Sequence, residues 1–585
     1  MPLALRREVC VANTAKVSPT NDPNINAVLS GIKWAGEALT FSFPTSKSVY
    51  GKNYGYGETQ ANFGVFNEIQ KEATRDILDL YASVADIHFN EIGETGNQHA
   101  TLRFAESNAP STAWAYYPTQ AQIGGDVWLR HSFSLYNTPE KGNYAYLTLL
   151  HEIGHALGLK HTHERDGYFG VMPGNHDSLE YTVMSYRSYV GGPKSGYTNG
   201  TWSYPQTLMM YDIAAVQTLY GANYQTNSGD TAYQWDPSTG EFFVDGLGQG
   251  TPAGNRVFMT IWDGGGRDTY DFSNYTTNLT VNLQPGEWSK MSTEQLASLG
   301  YQRYAQGNVA NALLFHGNQA SLIEDVVGGS GDDVILGNAA ANALTGGAGD
   351  DVLDGGIGSD SAVYSGFSFD YLWAQNEDNT WTISDLRAGA PDGMDVLKNI
   401  QYLDFTDLLV ALAEGDGSGE TGDDVPVAVD DFYATRKRAI TVDVLANDFD
   451  PNSGNLSTIL VNGPNRGQLT LDEEGHFLYV SPRHFKGMIK FSYAASDGSN
   501  ESEIATVQIK IGRKHGSPHK VSKGGDLDDD IGPRHRVIHE DDDVRGHEGN
   551  HGPEWLHHDN VPLPLGFDES VFSSPLRDDA NWLFG

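Results

Sequence analysis

Residues 328–363 divide into four consecutive nonapeptides, GGSGDDVIL, GNAAANALT, GGAGDDVLD and GGIGSDSAV, and no other feature restricts the fold as strongly. The period of nine is built on glycine. It fits a parallel roll of turns and short strands, in which each repeat buries the apolar position of its neighbours. The glycines permit tight turns and bring main-chain carbonyls inward. Sixth positions are Asp333, Asn342, Asp351 and Asp360; eighth positions, facing the core, are Ile335, Leu344, Leu353 and Ala362. Carboxylates and carbonyls converging on a turn are the oxygen donors that calcium takes. The second repeat lacks the glycines and the carboxylate, so its site is weak or absent. Four repeats are few, and strands at 257–283 and 363–412 are expected to cap the roll. A disordered Gly/Asp-rich linker is the competing reading, against which the intact period argues.

Charge points the same way. Against 76 acidic residues stand 37 basic ones, a formal net charge of −39. That disfavours a nucleic-acid partner, which needs a basic face, and an anionic membrane surface for the same reason. Cys10 is the single cysteine, so neither an intramolecular disulfide nor a cysteine zinc site is available. No apolar run approaches the roughly 18 residues of a membrane helix. Arg6 and Arg7 follow a very short apolar stretch, the wrong order for a secretory signal. The chain is therefore expected to be cytoplasmic or exported without an N-terminal signal.

At roughly 100–200 residues per domain, 585 residues predict three or four domains. Residues 1–30 read as a polar lead-in. Apolar spacing predicts helices over 65–81 and 144–159, with short strands at 102–104 and 127–129. Strands and helices are segregated, which favours an α+β domain over 31–225. The roll with its capping strands takes 226–412, and a linker follows at 413–426. Short strands at 440–445, 468–471, 477–480, 489–493 and 505–511, separated by turn signals, predict an all-β sandwich over 427–512. Residues 513–585, with eight of the nineteen histidines and two Asp triplets, read as a disordered tail.

The chemistry lies in His151-Glu152-Ile153-Gly154-His155-Ala156-Leu157-Gly158-Leu159-Lys160-His161. Histidines four apart share one helical face, about 5–6 Å between Cβ atoms, so both can reach one ion. Gly158 can end the helix at positive φ and let His161 return as a third ligand. Three nitrogen ligands with an open position mark a catalytic zinc. Glu152 is placed to take a proton from water activated there.

A second piece, Tyr181-Thr-Val-Met184-Ser185-Tyr186, follows downstream. With it the chain resembles the metzincins, and among them the serralysin (peptidase M10B) metalloproteases. Similar segments are Ser30-Gly-Ile-Lys-Trp34, Leu39-Thr-Phe-Ser-Phe-Pro44, Gly125-Asp-Val-Trp128 and Tyr211 to Ala222, so the resemblance covers roughly 30–363. It implies that Met184 forms a hydrophobic floor beneath the zinc. It implies too that Tyr186 ligates zinc in the resting enzyme and swings to support the oxyanion. One departure is Lys160-His161-Thr162, where many members follow the third histidine with Pro-Gly. His163 and His176 read as exposed, with His163 able to compete for metal. Extended substrate is expected to pair with an edge strand at 113–117.

The nonapeptides resemble the calcium-binding repeats of RTX proteins. That resemblance implies calcium ligands at Asp263, Gly265, Asp268, Glu324, Gly329, Gly331 and Asp333, and at Gly347, Gly349, Asp351, Gly356, Gly358 and Asp360. It implies secretion by the type I apparatus with an uncleaved C-terminal signal, here ending Asp578-Asp579-Ala-Asn-Trp582-Leu583-Phe584-Gly585, with calcium folding the roll outside the cell. Residues 425–511 resemble cadherin-like or immunoglobulin-like repeats through Ala428-Val-Asp-Asp431 and Val444 to Asp450, with a surface ligand as their expected partner. Cys10 reads as an inert residue of a short propeptide. The expected molecule is a secreted, calcium-stabilised zinc endopeptidase acting on proteins or peptides, with one catalytic Zn2+, several structural Ca2+ and no membrane span. The alternative is a calcium-dependent surface adhesin or matrix protein with a vestigial protease domain. A pore-forming toxin would need long apolar segments that are lacking.

Overall fold

The computed structural model describes residues 12–412, apart from 52–53, 96–97 and 166–168, and with short interruptions 426–512. The described residues fall into two compact units that meet in sequence at Leu408 and Leu409.

In the first unit β1 (Ala38–Ser42), β2 (His88–Glu91), β3 (Leu102–Ser107), β4 (Ala113–Ala115) and β5 (Val127–Arg130) form a sheet of order β2-β1-β3-β5-β4. All pairings are parallel except β4, the antiparallel edge strand. Helix α1 (Glu68–Val84) starts three residues later than apolar spacing suggests, because Asn67 and Gln70 form a capping box there. Helix α2 (Tyr144–Leu157) is buried along its whole length, as a helix with few polar residues must be. Helix α3 (Met210–Tyr220) closes the domain. The segment expected to be a lead-in packs into this unit from Thr14 onward. Thr14–Lys16 pairs with Ile32–Trp34, and Ala27, Val28 and Leu29 are fully buried. Cys10 lies outside the described residues.

One continuous core joins this domain to the strands that follow: Phe258, Trp262, Leu299 and Ala310 cluster with the helix residues. Short strands then alternate between two parallel sheets. In one, Tyr270, Val326, Leu344, Ala362 and Leu403 stack in register; in the other, Val281, Ile335, Leu353 and Leu397 do. The eighth-position residues are fully buried. The coil step is eighteen residues, and the turns lie so close that a Cβ on Gly347 (φ +104°) would sit 2.0 Å from the carbonyl oxygen of Gly329. The flanking strands extend the roll rather than merely cap it. The amide N–H of Asp333 donates to Asp351, that of Asp351 to Asp395, and that of Asp360 to Gln401.

In the second unit Asp431–Thr435, Ala505–Ile511, Gly487–Ser496 and Ser457–Asn462 form one sheet in that order, and Ala439–Val442, Phe477–Val480 and Gln468–Leu471 a second. Val442, Phe477, Tyr479, Ile489, Phe491, Tyr493, Val507 and Ile509 make their common core. Asp431–Thr435 and Ser457–Asn462 were not expected from sequence. The tail expected at 513–585 lies outside the described residues.

Candidate active site

Helix α2 presents His151 and His155 one turn apart, and Gly158 ends it in the left-handed region (φ +115°). A Cβ there would lie 2.3 Å from the carbonyl of Ile32, so only glycine lets the chain turn back. His161 thereby returns to the other two. Its Nε2 is 2.9 Å from His155 Nε2 and 3.0 Å from His151 Nε2, and all three rings are buried.

The outer nitrogens decide what this convergence means. His151 Nδ1 donates to the Val183 carbonyl at 2.7 Å, and His155 Nδ1 to the Leu159 carbonyl at 2.7 Å. His161 Nδ1 faces Glu164 Oε1 at 2.6 Å. Every Nδ1 meets an acceptor and so carries the proton in the neutral ring, which leaves a lone pair on every Nε2. Burial first, then a neighbouring imidazole, drives His151 and His161 down to about 3, so neither takes a second proton at neutral pH. Three lone pairs directed at one point are mutually repulsive unless a cation lies among them. The donor set of three neutral imidazoles suits zinc, and the acceptor on each outer nitrogen is the support such ligands require.

Glu152 is 1% exposed, and neither carboxylate oxygen has a hydrogen-bond partner among the described residues. Burial pushes its pKa well above the usual carboxylate range. The Tyr186 hydroxyl lies 2.9 Å from His161 Nε2. Met184 is fully buried, and its sulfur approaches α2 at Gly154, where a Cβ would be 3.0 Å away. Tyr117, just past β4, sets its ring edge-on to His155 at 5.4 Å.

Four supporting residues escaped the sequence reading. Asp212, in the first turn of α3, accepts from Thr182 Oγ1, Val183 N and Met209 N, fixing the carbonyl that receives His151. Asp177 accepts from Thr162, Ser185 and Arg187 and ties the third-histidine loop to the turn that carries Met184. Lys160 is buried, and its ammonium donates to the carbonyls of Ala27, Glu164 and Gly170. Glu164 braces His161. A charged residue inside an apolar run was the signal available for Lys160 and Asp212. His163 and His176 are half-buried rather than exposed: His163 stacks on His161, and His176 packs on Tyr181 and Tyr211.

Away from this centre, the buried Asp263 and Asp268 gather with the half-buried Glu324. Gly265 N donates to Asp263, and Asp268 N to Glu324. Burial, with the neighbouring carboxylates, raises Asp263 to about 6, Glu324 to about 7 and Asp268 to about 8. In the roll, Gly329 N donates to Asp333 Oδ2, while Asp351 Oδ2 and Asp360 Oδ2 are buried without a partner among the described residues. Gly347, Gly349, Gly356 and Gly358 all have positive φ; Gly331 does not, but a Cβ there would meet Asn278 N at 2.7 Å.

Residues 33–177 match the family model described as Matrixin, 222–415 the one described as Peptidase M10 serralysin C terminal, and 423–510 that of a Bacterial Ig domain. The chain is 34% identical over 303 residues to Metalloprotease AprA of Pseudomonas entomophila, covering 49% of this chain and 57% of that protein. It is 34% identical over 328 residues to Serralysin of Proteus mirabilis (52% and 60%) and 31% over 334 residues to Serralysin G of Dickeya chrysanthemi (54% and 63%). The alignments thus span about three fifths of these relatives' length. A solved endo-fucoidan hydrolase of glycoside hydrolase family 107 reaches a TM-score of only 0.13 at 16% identity, covering 23% of this chain and 21% of its own, too little to bear on fold.

Proposed function

We propose that this chain, which joins the matrixin and serralysin C-terminal domains of the M10 metallopeptidases to a bacterial immunoglobulin-like domain, is a secreted zinc endopeptidase of the serralysin type. The observation that carries the proposal is the inward set of three Nε2 lone pairs, each fixed by an acceptor on its own Nδ1.

His151, His155 and His161 would hold a zinc ion, which would supply Lewis acidity and make a water acidic enough to attack a carbonyl. Glu152 takes the proton from the attacking water and returns it to the leaving amine. Tyr186 donates its hydroxyl to the developing oxyanion. Extended peptide pairs along β4, the last strand of its sheet, fixing the scissile bond over the histidines. Met184 supports α2 from beneath.

Asp263, Gly265, Asp268, Glu324, Gly329, Gly331 and Asp333, with the glycines and aspartates of the later turns, hold several structural calcium ions. In their absence the clustered carboxylates would repel one another, which suits a chain that passes the type I apparatus unfolded and folds in external calcium. The immunoglobulin-like module engages a surface ligand. Among the described residues no helix is long and apolar enough to cross a membrane.

Casein hydrolysis by the calcium-refolded chain tests the reading, beside Glu152→Gln and an o-phenanthroline control. The expected result is cleavage by the wild type alone, stopped by the chelator. A Glu152→Gln variant as active as the wild type would overturn it.

A further inference from the structure

The second unit separates its charges along its length. Strand pairing sets Thr435, Ile511 and Gly487 at one end of the first sheet, and Ala439, Val480 and Gln468 at one end of the second. The two ends coincide, because the chain passes there from Thr435 to Ala439 and from Val480 to Gly487. Lys437, Arg438, Arg466, Arg483 and Lys486 all fall at that end, and all are exposed. The segments that reach it, 433–442, 457–471, 478–496 and 504–514, contain no aspartate or glutamate. Asp431, Asp443 and Glu501 stand at the opposite end, as does the single ion pair among the unit's described residues, His476 with Asp443. Lys437, Arg438, Arg483 and His484 line a groove of about 510 Å3, to which Phe485 and Ile511 add an apolar part. Arg438 is held by its Nε, which donates to the Ser481 carbonyl at 3.1 Å and leaves both terminal NH2 groups for a ligand. Arg466 lies over the Phe485 ring at 6.0 Å.

We propose that this end of the immunoglobulin-like module binds an acidic polysaccharide through its carboxylate or sulfate groups. The proposal rests on the reading that the module engages a surface ligand, and names that ligand's chemistry. Guanidinium groups pair with carboxylate and sulfate through two parallel hydrogen bonds, and ammonium groups add charge without a fixed geometry. The formal charge of −39 belongs to the whole chain; screening over about 8 Å at physiological salt lets one end act by its local charge. Charge spacing then selects among polyanions. Duplex nucleic acid bears one charge per about 1.7 Å and would set its phosphates against the acids of the rest of the chain, whereas a glycan carries its charges a sugar ring apart. Single strands need open aromatic faces to stack on, and Phe485 is half-buried with Arg466 over it. A bilayer presents its charge as a plane, which does not enter a groove. Bound to such a matrix, the α+β domain would be held at high local concentration over the proteins embedded in it.

In the test the full chain, in calcium, is applied to immobilised dextran sulfate, hyaluronate and neutral dextran beside three double variants. Lys437→Gln with Arg483→Gln removes two exposed cations of the groove, and Lys437→Arg with Arg483→Lys keeps them. Lys16→Gln with Lys47→Gln makes the same change of charge on exposed side chains of the first unit. The wild type is expected to be held by dextran sulfate or hyaluronate at about 0.05 M salt, to be released by about 0.5 M, and to pass neutral dextran. The Lys437→Gln, Arg483→Gln protein should bind roughly tenfold more weakly, and the other two variants within about threefold of the wild type. Retention by dextran sulfate alone would assign the recognised group as sulfate, and by hyaluronate alone as carboxylate. Failure of both acidic glycans to hold the wild type, or equal retention of all four proteins, would overturn the proposal. Tighter binding of duplex DNA or phosphatidylserine vesicles through the same two side chains would overturn it too. Retention on neutral dextran that no variant alters would overturn it while leaving the module's engagement of a surface standing.

Discussion

Replacing Asp212 with alanine should damage the proposed zinc site, which the residue never touches. Its carboxylate accepts Thr182 Oγ1 at 2.5 Å, Val183 N at 2.8 Å and Met209 N at 3.0 Å, all fully buried. Alanine leaves two main-chain N–H groups and a hydroxyl without that acceptor. At about 1–3 kcal/mol for each buried group, with the hydroxyl free to turn elsewhere, the loss is about 3–5 kcal/mol. Asp212→Asn keeps an amide oxygen in reach of the two N–H groups and gives up only the charge-assisted part, about 1 kcal/mol. Because the Val183 carbonyl also receives His151 Nδ1, zinc affinity should fall by about 10–100-fold in the alanine variant. Urea unfolding in saturating calcium, read by tryptophan emission, gives the first quantity; competition with a chromophoric chelator gives the second. The order of stability should be wild type, asparagine, alanine. An alanine variant within about 0.5 kcal/mol of wild type, with unaltered zinc affinity, would refute the reasoning.

Gly154→Ala gains about 1 kcal/mol of helix propensity but drives a methyl to 2.9 Å from Tyr81 Oη and 3.0 Å from Met184 Sδ, a cost of about 1–3 kcal/mol. The expected variant is less active and no more stable than wild type; a more stable, fully active protein would contradict the packing. Lys160→Met strips a buried ammonium from three carbonyls and should loosen 14–29 and 161–170, seen as new cleavage by a low dose of chymotrypsin, while unchanged resistance would show the staple to be dispensable. Asp263, Glu324 and Asp268 titrate near 6, 7 and 8 in the folded chain without cation, above the roughly 4 of an unfolded carboxyl. The folded state then binds more protons than the unfolded one, so in EDTA stability should fall as pH rises from about 4 to 8. Calcium binding should release protons near neutrality, measurable by calorimetry in buffers of different ionisation enthalpy. Flat stability with pH and no proton release would remove these groups from the proposed calcium sites.

The placing of the three histidines was legible because it is local: four residues along a helix, then a glycine, then a short return. The acceptors on their outer nitrogens were not, because Val183 is held in turn by Asp212, sixty-one residues after His151 in the chain. No spacing rule links α3 to α2; only packing does. The roll was legible from its period over 328–363, but its length was not. Asp395 and Gln401 continue the hydrogen-bond ladder from segments that have lost the glycine pattern, so register carries on where the repeat stops. In the second unit Ser457–Asn462 was missed because its Leu460 and Val461 are both exposed and do not alternate. Helix α1 was displaced because apolar spacing says where a face lies, whereas the capping box says where the helix begins.

The eighteen-residue coil gives the roll a parity. Each nonapeptide sends its strand to the sheet opposite the previous one, and Gly347 meets Gly329 only because two repeats separate them. Removing the nine residues 337–345 would move every later strand to the wrong wall, parting Leu353 from Ile335 and setting it beside Val326 in the place of Leu344. Removing or duplicating eighteen would leave both walls in phase. Such a domain can therefore lengthen or shorten in whole coils without disturbing the α+β domain at its head, and single-repeat changes are the ones selection should discard.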